Sequence, residues 1–172
     1  MYLGSEDAGA LPLAELQTHK ISHILIPAYT GRPAVLHPNS ISYMHLNLRD
    51  VQGVPIIPEF KAAFAFIDEG LKEGAVLVHC AQGISRSASF VVAYLMQRNS
   101  WTLSESIEHV RQRRPCIDVL KKFGDQLRLW EEMHCSLRGD TPAHKTYVAK
   151  YSKQVSIGRQ NDIIPARFKQ LN

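Results

Sequence analysis

Ala75-Val76-Leu77-Val78-His79-Cys80-Ala81-Gln82-Gly83-Ile84-Ser85-Arg86-Ser87-Ala88-Ser89-Phe90-Val91-Val92-Ala93-Tyr94-Leu95-Met96 moves from a short β-branched run, through small and polar residues, into a stretch that is apolar nearly all round. The first four residues read as a central strand. Phe90 to Met96 reads as a buried helix. A strand that feeds straight into a helix puts the intervening loop at the carboxyl end of a sheet, where ligands bind in open α/β folds.

The loop has residues suited to phosphate chemistry. Its backbone N–H groups can turn inward as an anion nest at a helix N-terminus. Gly83 permits the tight turn that this requires. Cys80 opens the loop and Arg86 closes it. A helix N-terminus and a nearby cation lower a thiol's pKa, so Cys80 is expected to be a thiolate and the nucleophile. The planar fork of Arg86 matches two phosphate oxygens. Ala81, Gln82, Gly83, Ile84, Ser85 and Arg86 are together expected to cradle the phosphate. Ser87 can donate to the sulfur and help it leave in a second step. His79 sits on the strand just before the nucleophile, so its side chain is expected on the opposite face. Orienting the loop backbone suits it better than acting as a base.

Outward from this stretch, strands and helices alternate. Ile21 to Ile26 reads as a buried strand closed by Pro27, and Ile41 to Leu46 as an alternating one. Residues 30–40, with Gly31, Pro33 and Pro38, read as a loop. Pro58 opens a helix carrying Phe60, Phe64, Ile67 and Leu71, with Gly70 and Gly74 at its end. Thr102 and Glu105 form a capping box. A last helix bears Phe123, Leu127, Trp130 and Met133. The pattern predicts an α/β fold: a central, mostly parallel sheet flanked by helices.

The 172 residues suit one domain. At 45% apolar and 21% charged, the composition is that of an ordinary globular domain. No apolar run is long enough to span a bilayer, and the first residues do not read as a secretory signal. The three cysteines are expected to be reduced thiols in the cytoplasm or nucleus. Cys116 and Cys135 read as packing residues, and also as candidate oxidation partners for Cys80. No Cys or His spacing suits zinc, so no metal is expected. From residue 138 onward there are seven Lys or Arg and two Asp or Glu, a charge of +5, which leaves −1 for the rest. The excess charge thus lies in a C-terminal extension, residues 138–172, read as solvated or as a docking segment for an acidic partner. Neither nucleic acid nor a membrane is expected as a partner of the body, residues 1–137.

His79, Cys80, Gly83, Arg86 and Ser87 reproduce the pattern His-Cys-x-x-Gly-x-x-Arg-Ser of the cysteine-based protein phosphatases. The resemblance continues in Tyr2-Leu3-Gly4-Ser5-Glu6-Asp7-Ala8, Ala65-Phe66-Ile67-Asp68, Arg114-Pro115 and Gln126-Leu127-Arg128-Leu129-Trp130-Glu131. Along most of residues 2–133 the chain resembles a dual-specificity phosphatase of the small atypical type. The resemblance implies a metal-free, cofactor-free site that takes phosphotyrosine and phosphoserine or phosphothreonine from a phosphoprotein. It also implies a general acid about thirty residues before the cysteine. Asp50, otherwise an ordinary turn aspartate, fits that position. Asp68 is its rival but lies on a helix.

The chain departs from the family where a Pro-Asn-x-Gly stretch often precedes the last helix. Here Val119-Leu120-Lys121-Lys122 stands instead, and a brace for the loop is missing. That keeps open a catalytically weak phospho-binding module on the same fold. A non-protein phosphate, such as an RNA 5′-phosphate or a carbohydrate phosphate, is a further alternative. The uncharged Ala81, Gln82 and Ile84 argue against a highly anionic substrate.

Overall fold

The strand leading to Cys80, β4 (Ala75–His79), lies between two parallel neighbours in a computed structural model that describes residues 1–29, 35–155 and 162–164. On one side is β1 (Tyr2–Gly4), with Leu3 opposite Val78. On the other is β2 (Ile21–Pro27), with Leu25 opposite Val78. β3 (Ser42–Leu46) continues the parallel sheet beyond β2. The expected α/β architecture is therefore present, with four parallel strands.

Helices cover both faces. On one side, α1 (Glu6–Gly9) and α2 (Leu13–Thr18) lie over Ile24, Ile26, Tyr43 and Leu77. On the other, α3 (Ile57–Glu73), α4 (Arg86–Asn99), α5 (Leu103–Arg111) and α6 (Leu120–Glu132) close over Leu25, Met44, Val76 and Val78. Successive strand residues thus feed opposite layers, as the two-residue period requires. Covering both faces also explains β3. The strand expected there is present, and all five of its residues are buried despite the alternation of residue types.

α4 is the central helix, buried from Arg86 through Tyr94. Phe60 anchors the larger layer, with ring centroids 5.1 to 5.3 Å from those of Phe64, Phe90 and Trp130. The Trp130 indole N–H donates to the Ala93 carbonyl at 3.3 Å, pinning α6 to α4. The capping box at Thr102 and Glu105 is formed. α3 runs through Gly70 because that glycine presses on the sheet: a Cβ there would lie 2.5 Å from Val76.

The C-terminal extension departs from its solvated reading. α7 (Pro142–Val155) buries Ala143 and His144, and Tyr147 and Tyr151 pack against the larger layer. β5 (Asp162–Ile164) then pairs antiparallel with β3, placing Ile163 opposite Met44. The expected loop over residues 30–40 falls partly outside the described residues, which resume at Val35. Among the described residues, no helix is long and apolar enough to cross a membrane.

Candidate active site

β4 ends at His79 and α4 begins at Arg86, so the loop from Cys80 to Ser85 spans the carboxyl edge of the sheet. Cys80 is 3% exposed. Its Sγ accepts the Gly83 N–H at 3.3 Å and the Ser87 hydroxyl at 3.2 Å. Burial pushes the Cys80 thiol up. The hydrogen bonds from Ser87 and Gly83, with the charge of Arg86, outweigh that and leave its pKa below the ordinary thiol value.

The loop carbonyls show how the nest is built. Glu6 N–H donates to the Ala81 carbonyl at 3.1 Å. Arg114 donates from Nη2 to the Gln82 carbonyl at 2.8 Å and from Nε to the Gly83 carbonyl at 2.7 Å. Asp118 N–H takes the Ile84 carbonyl at 3.0 Å, and Ser89 N–H takes that of Ser85 at 2.8 Å. In a trans peptide, the carbonyl of one residue and the N–H of the next point in opposite directions. With the loop carbonyls so engaged, the N–H groups that follow them face away from those partners, as an anion nest requires, and that of Gly83 reaches the sulfur. Gly83 has φ +67°, and a Cβ on it would lie 2.4 Å from the Gly4 carbonyl oxygen.

Arg86 Nη1 donates to the Leu48 carbonyl at 3.1 Å. Its Nε is buried and has no hydrogen-bond partner among the described residues. Asp50, on the segment after β3, sets Oδ1 at 4.0 Å from that Nε and Oδ2 at 2.9 Å from Lys122 Nζ. Asp50 Oδ1 and Ser85 Oγ are also buried without hydrogen-bond partners among the described residues. These groups line one cavity of about 380 Å³, together with Cys80, Ala81, Gln82, Ile84, Asp118, Lys121 and Lys122. Asp68 is elsewhere, accepting from the Tyr94 hydroxyl and from Arg98.

His79 faces away from the cavity. Its Nδ1 lies 3.4 Å from the Cys80 carbonyl, and its ring fills the space where a Gly9 side chain would stand. Burial pushes its pKa down, with the Cys80 carbonyl and the Glu6 charge only partly opposing. A neutral ring with its proton on Nδ1 donates to that carbonyl, at the start of the loop.

Three sequence readings change here. The missing asparagine does not leave the loop unheld, because Arg114 and the Asp118 backbone take its carbonyls. Nor is the site as free of cations as its loop residues implied, since α6 brings Lys121 and Lys122 to the rim. Cys135 is a poor oxidation partner for Cys80. Its carbonyl accepts from Gln97, in the last turn of α4, whereas Cys80 precedes the first turn. The 14 residues of α4 put about 20 Å between those ends. Burial and the nearby Glu131 push the Cys135 thiol up to about 11, so it has little thiolate to offer.

Residues 1–133 match the family model of the dual specificity phosphatase catalytic domain. The chain is 38% identical over 132 residues to a Protein phosphatase Slingshot homolog from Xenopus laevis, covering 76% of this chain and 19% of that protein. It is 37% identical over 148 residues to Dual specificity protein phosphatase 19 from Mus musculus, covering 85% of this chain and 66% of that one. Both relatives therefore extend beyond the matched region. Among solved structures, the human tyrosine phosphatase-like serine/threonine/tyrosine-interacting protein superposes with a TM-score of 0.65 at 34% identity. That match covers 72% of this chain and 85% of the other.

Proposed function

The chain belongs to the dual specificity phosphatases, and we propose that it hydrolyses phosphotyrosine and phosphoserine or phosphothreonine in phosphoproteins through a phosphocysteine intermediate. The observation that carries this reading is the Cys80 sulfur, holding hydrogen bonds from Ser87 and Gly83 at the base of the inward-turned loop.

The substrate phosphoryl group sits in the nest, with two oxygens on the loop N–H groups and the open Nε side of Arg86. The Cys80 thiolate attacks phosphorus from the opposite side to the ester oxygen. The S–P bond forms as the P–O bond breaks, and Asp50 gives its proton to the departing phenolate or alkoxide. In the second step Asp50, now a carboxylate, takes a proton from water as its oxygen attacks phosphorus. The P–S bond breaks, inorganic phosphate leaves, and Ser87 donates to the returning thiolate. Arg86 stays bound to the equatorial oxygens, where charge accumulates in both transition states.

A phospho-binding module on this fold would need no activated sulfur. The hydrogen bonds that Ser87 and Gly83 donate to the Cys80 sulfur support catalysis over binding alone. A nucleophile that must remain a thiol supports a reducing compartment, the cytoplasm or nucleus. Lys145 and Lys150, exposed on α7, suit an acidic partner for the extension.

The test is steady-state hydrolysis of an aryl phosphate, without metal and with reductant, by wild-type and Cys80→Ser protein. Turnover that disappears in a folded Cys80→Ser variant is the expected result. Turnover that survives would refute the nucleophile, and a folded but inert wild type would favour the binding module. Phosphotyrosine and phosphothreonine peptides then measure the dual specificity.

A further inference from the structure

The reading above gives Asp50 a role, but nothing in it explains how a carboxyl group on an irregular segment is aimed. We propose that Lys122 is a positioning residue for the acid step. It holds Asp50 Oδ2 so that Oδ1 is presented to the ester oxygen. The proposal rests on Asp50 being the general acid.

The two carboxyl oxygens of Asp50 have different surroundings. Lys122 Nζ donates to Oδ2 at 2.9 Å. Among the described residues Oδ1 is buried without a hydrogen-bond partner, 4.0 Å from Arg86 Nε, which is itself without one. Buried polar atoms of this kind call for an explanation, and a substrate supplies one for each. A phosphoryl oxygen would partner Arg86 Nε, and the leaving oxygen would partner Asp50 Oδ1. With Oδ2 tied to Lys122, rotation of the carboxyl group is restrained. The oxygen left over is the one facing the guanidinium, and hence the phosphate.

Lys122 is well supported for this task. It lies in the first turn of α6, directly before Phe123, which is fully buried, on the helix that Leu127 and Trp130 anchor further along. The Asp50 segment is held again from α6 by Gln126, which accepts from Ile56 N–H and donates to the Val54 carbonyl. One helix thus grips the acid-bearing segment at two successive turns. A partly exposed ion pair contributes little to stability, and the Asp50 and Lys122 side chains are 32% and 34% exposed. Losing Lys122 should therefore be felt in the chemistry rather than in the melting temperature.

The experiment is kcat/KM for a series of aryl phosphates with graded leaving groups, on wild type, Asp50→Asn, Lys122→Met, Lys122→Arg and the Asp50→Asn/Lys122→Met double variant. Thermal unfolding of each is measured alongside. Lys122→Met should lose about tenfold on the poorest leaving group, and progressively less as the leaving group becomes more acidic. Lys122→Arg should recover most of that loss. The double variant should be no worse than Asp50→Asn, because the two residues act in one step. A loss from Lys122→Met that is uniform across the series, or that multiplies with Asp50→Asn, overturns the positioning role. If Asp50→Asn itself shows no leaving-group dependence, the acid assignment falls, and the proposal with it. If Asp50→Asn shows it and Lys122→Met does not, only the proposal falls.

Discussion

Ser87 Oγ donates to Cys80 Sγ at 3.2 Å, from the second residue of the helix that the loop leads into. In the proposed mechanism the hydroxyl stabilises the thiolate both before the first step and as it leaves in the second. Ser87→Ala removes a hydrogen bond to a charged group, worth about 1.5–3 kcal/mol. The sign follows directly: with that donor gone, the Cys80 pKa rises, and less thiolate is present at a given pH below it. The acid limb of the kcat/KM profile should move to higher pH, with about tenfold lower activity at pH 6. Phosphoenzyme hydrolysis should also slow, so rapid mixing should show a burst of phenol release. An unchanged acid limb would refute the role of the hydroxyl.

Arg114 secures two adjacent carbonyls of the loop, those of Gln82 and Gly83. Arg114→Met keeps much of the side chain's length and removes both bonds. The peptide planes are then free to turn, and the nest loses its inward N–H groups. The expected result is a loss of about 10- to 100-fold in kcat/KM, with weaker competitive inhibition by inorganic phosphate. Full phosphate affinity in this variant would show that the loop holds its shape without Arg114.

Gln126 is buried on α6 and spends both ends of its amide on the segment after Asp50, at Ile56 N–H (2.8 Å) and the Val54 carbonyl (2.7 Å). Gln126→Leu fills a similar volume and leaves two backbone groups unpaired, at about 1–3 kcal/mol each. Thermal unfolding should fall by several degrees. Unlike Lys122→Met, this change should lower stability and kcat/KM together. An unaltered melting temperature would mean that water replaces the amide.

The resolution of the sequence reading was uneven for physical reasons. β4, the loop and α4 could be read because strand, turn and helix are contiguous and each residue type has a narrow use. Asp50 came only through the family resemblance, since a turn aspartate has no local signature. Lys122 was unreadable as part of a site: a lysine on a helix is ordinarily a solvated charge, and only tertiary folding brings it to Asp50. The outward carbonyls of the loop leave no trace in sequence, so the departure at Val119 to Lys122 looked like a missing support. α7 did carry a signal, in Ala143, Tyr147 and Tyr151 at four-residue spacing. The surrounding basic residues mask it, because a high local charge is also what a solvated segment carries.

The loop is also moored to the beginning of the chain. Glu6 N–H holds the Ala81 carbonyl, and Gly83 leaves no space for a side chain against Gly4. β1 is three residues long and, among the described residues, pairs on one side only, with β4. Whatever is joined ahead of Tyr2 thus pulls on a slender mooring line whose far end is tied to the nucleophile's own loop. A bulky folded tag fused directly there should depress kcat/KM several-fold, and a flexible spacer between tag and strand should restore it. If both fusions match the untagged protein, the line is slack and the loop keeps its shape regardless of its neighbour.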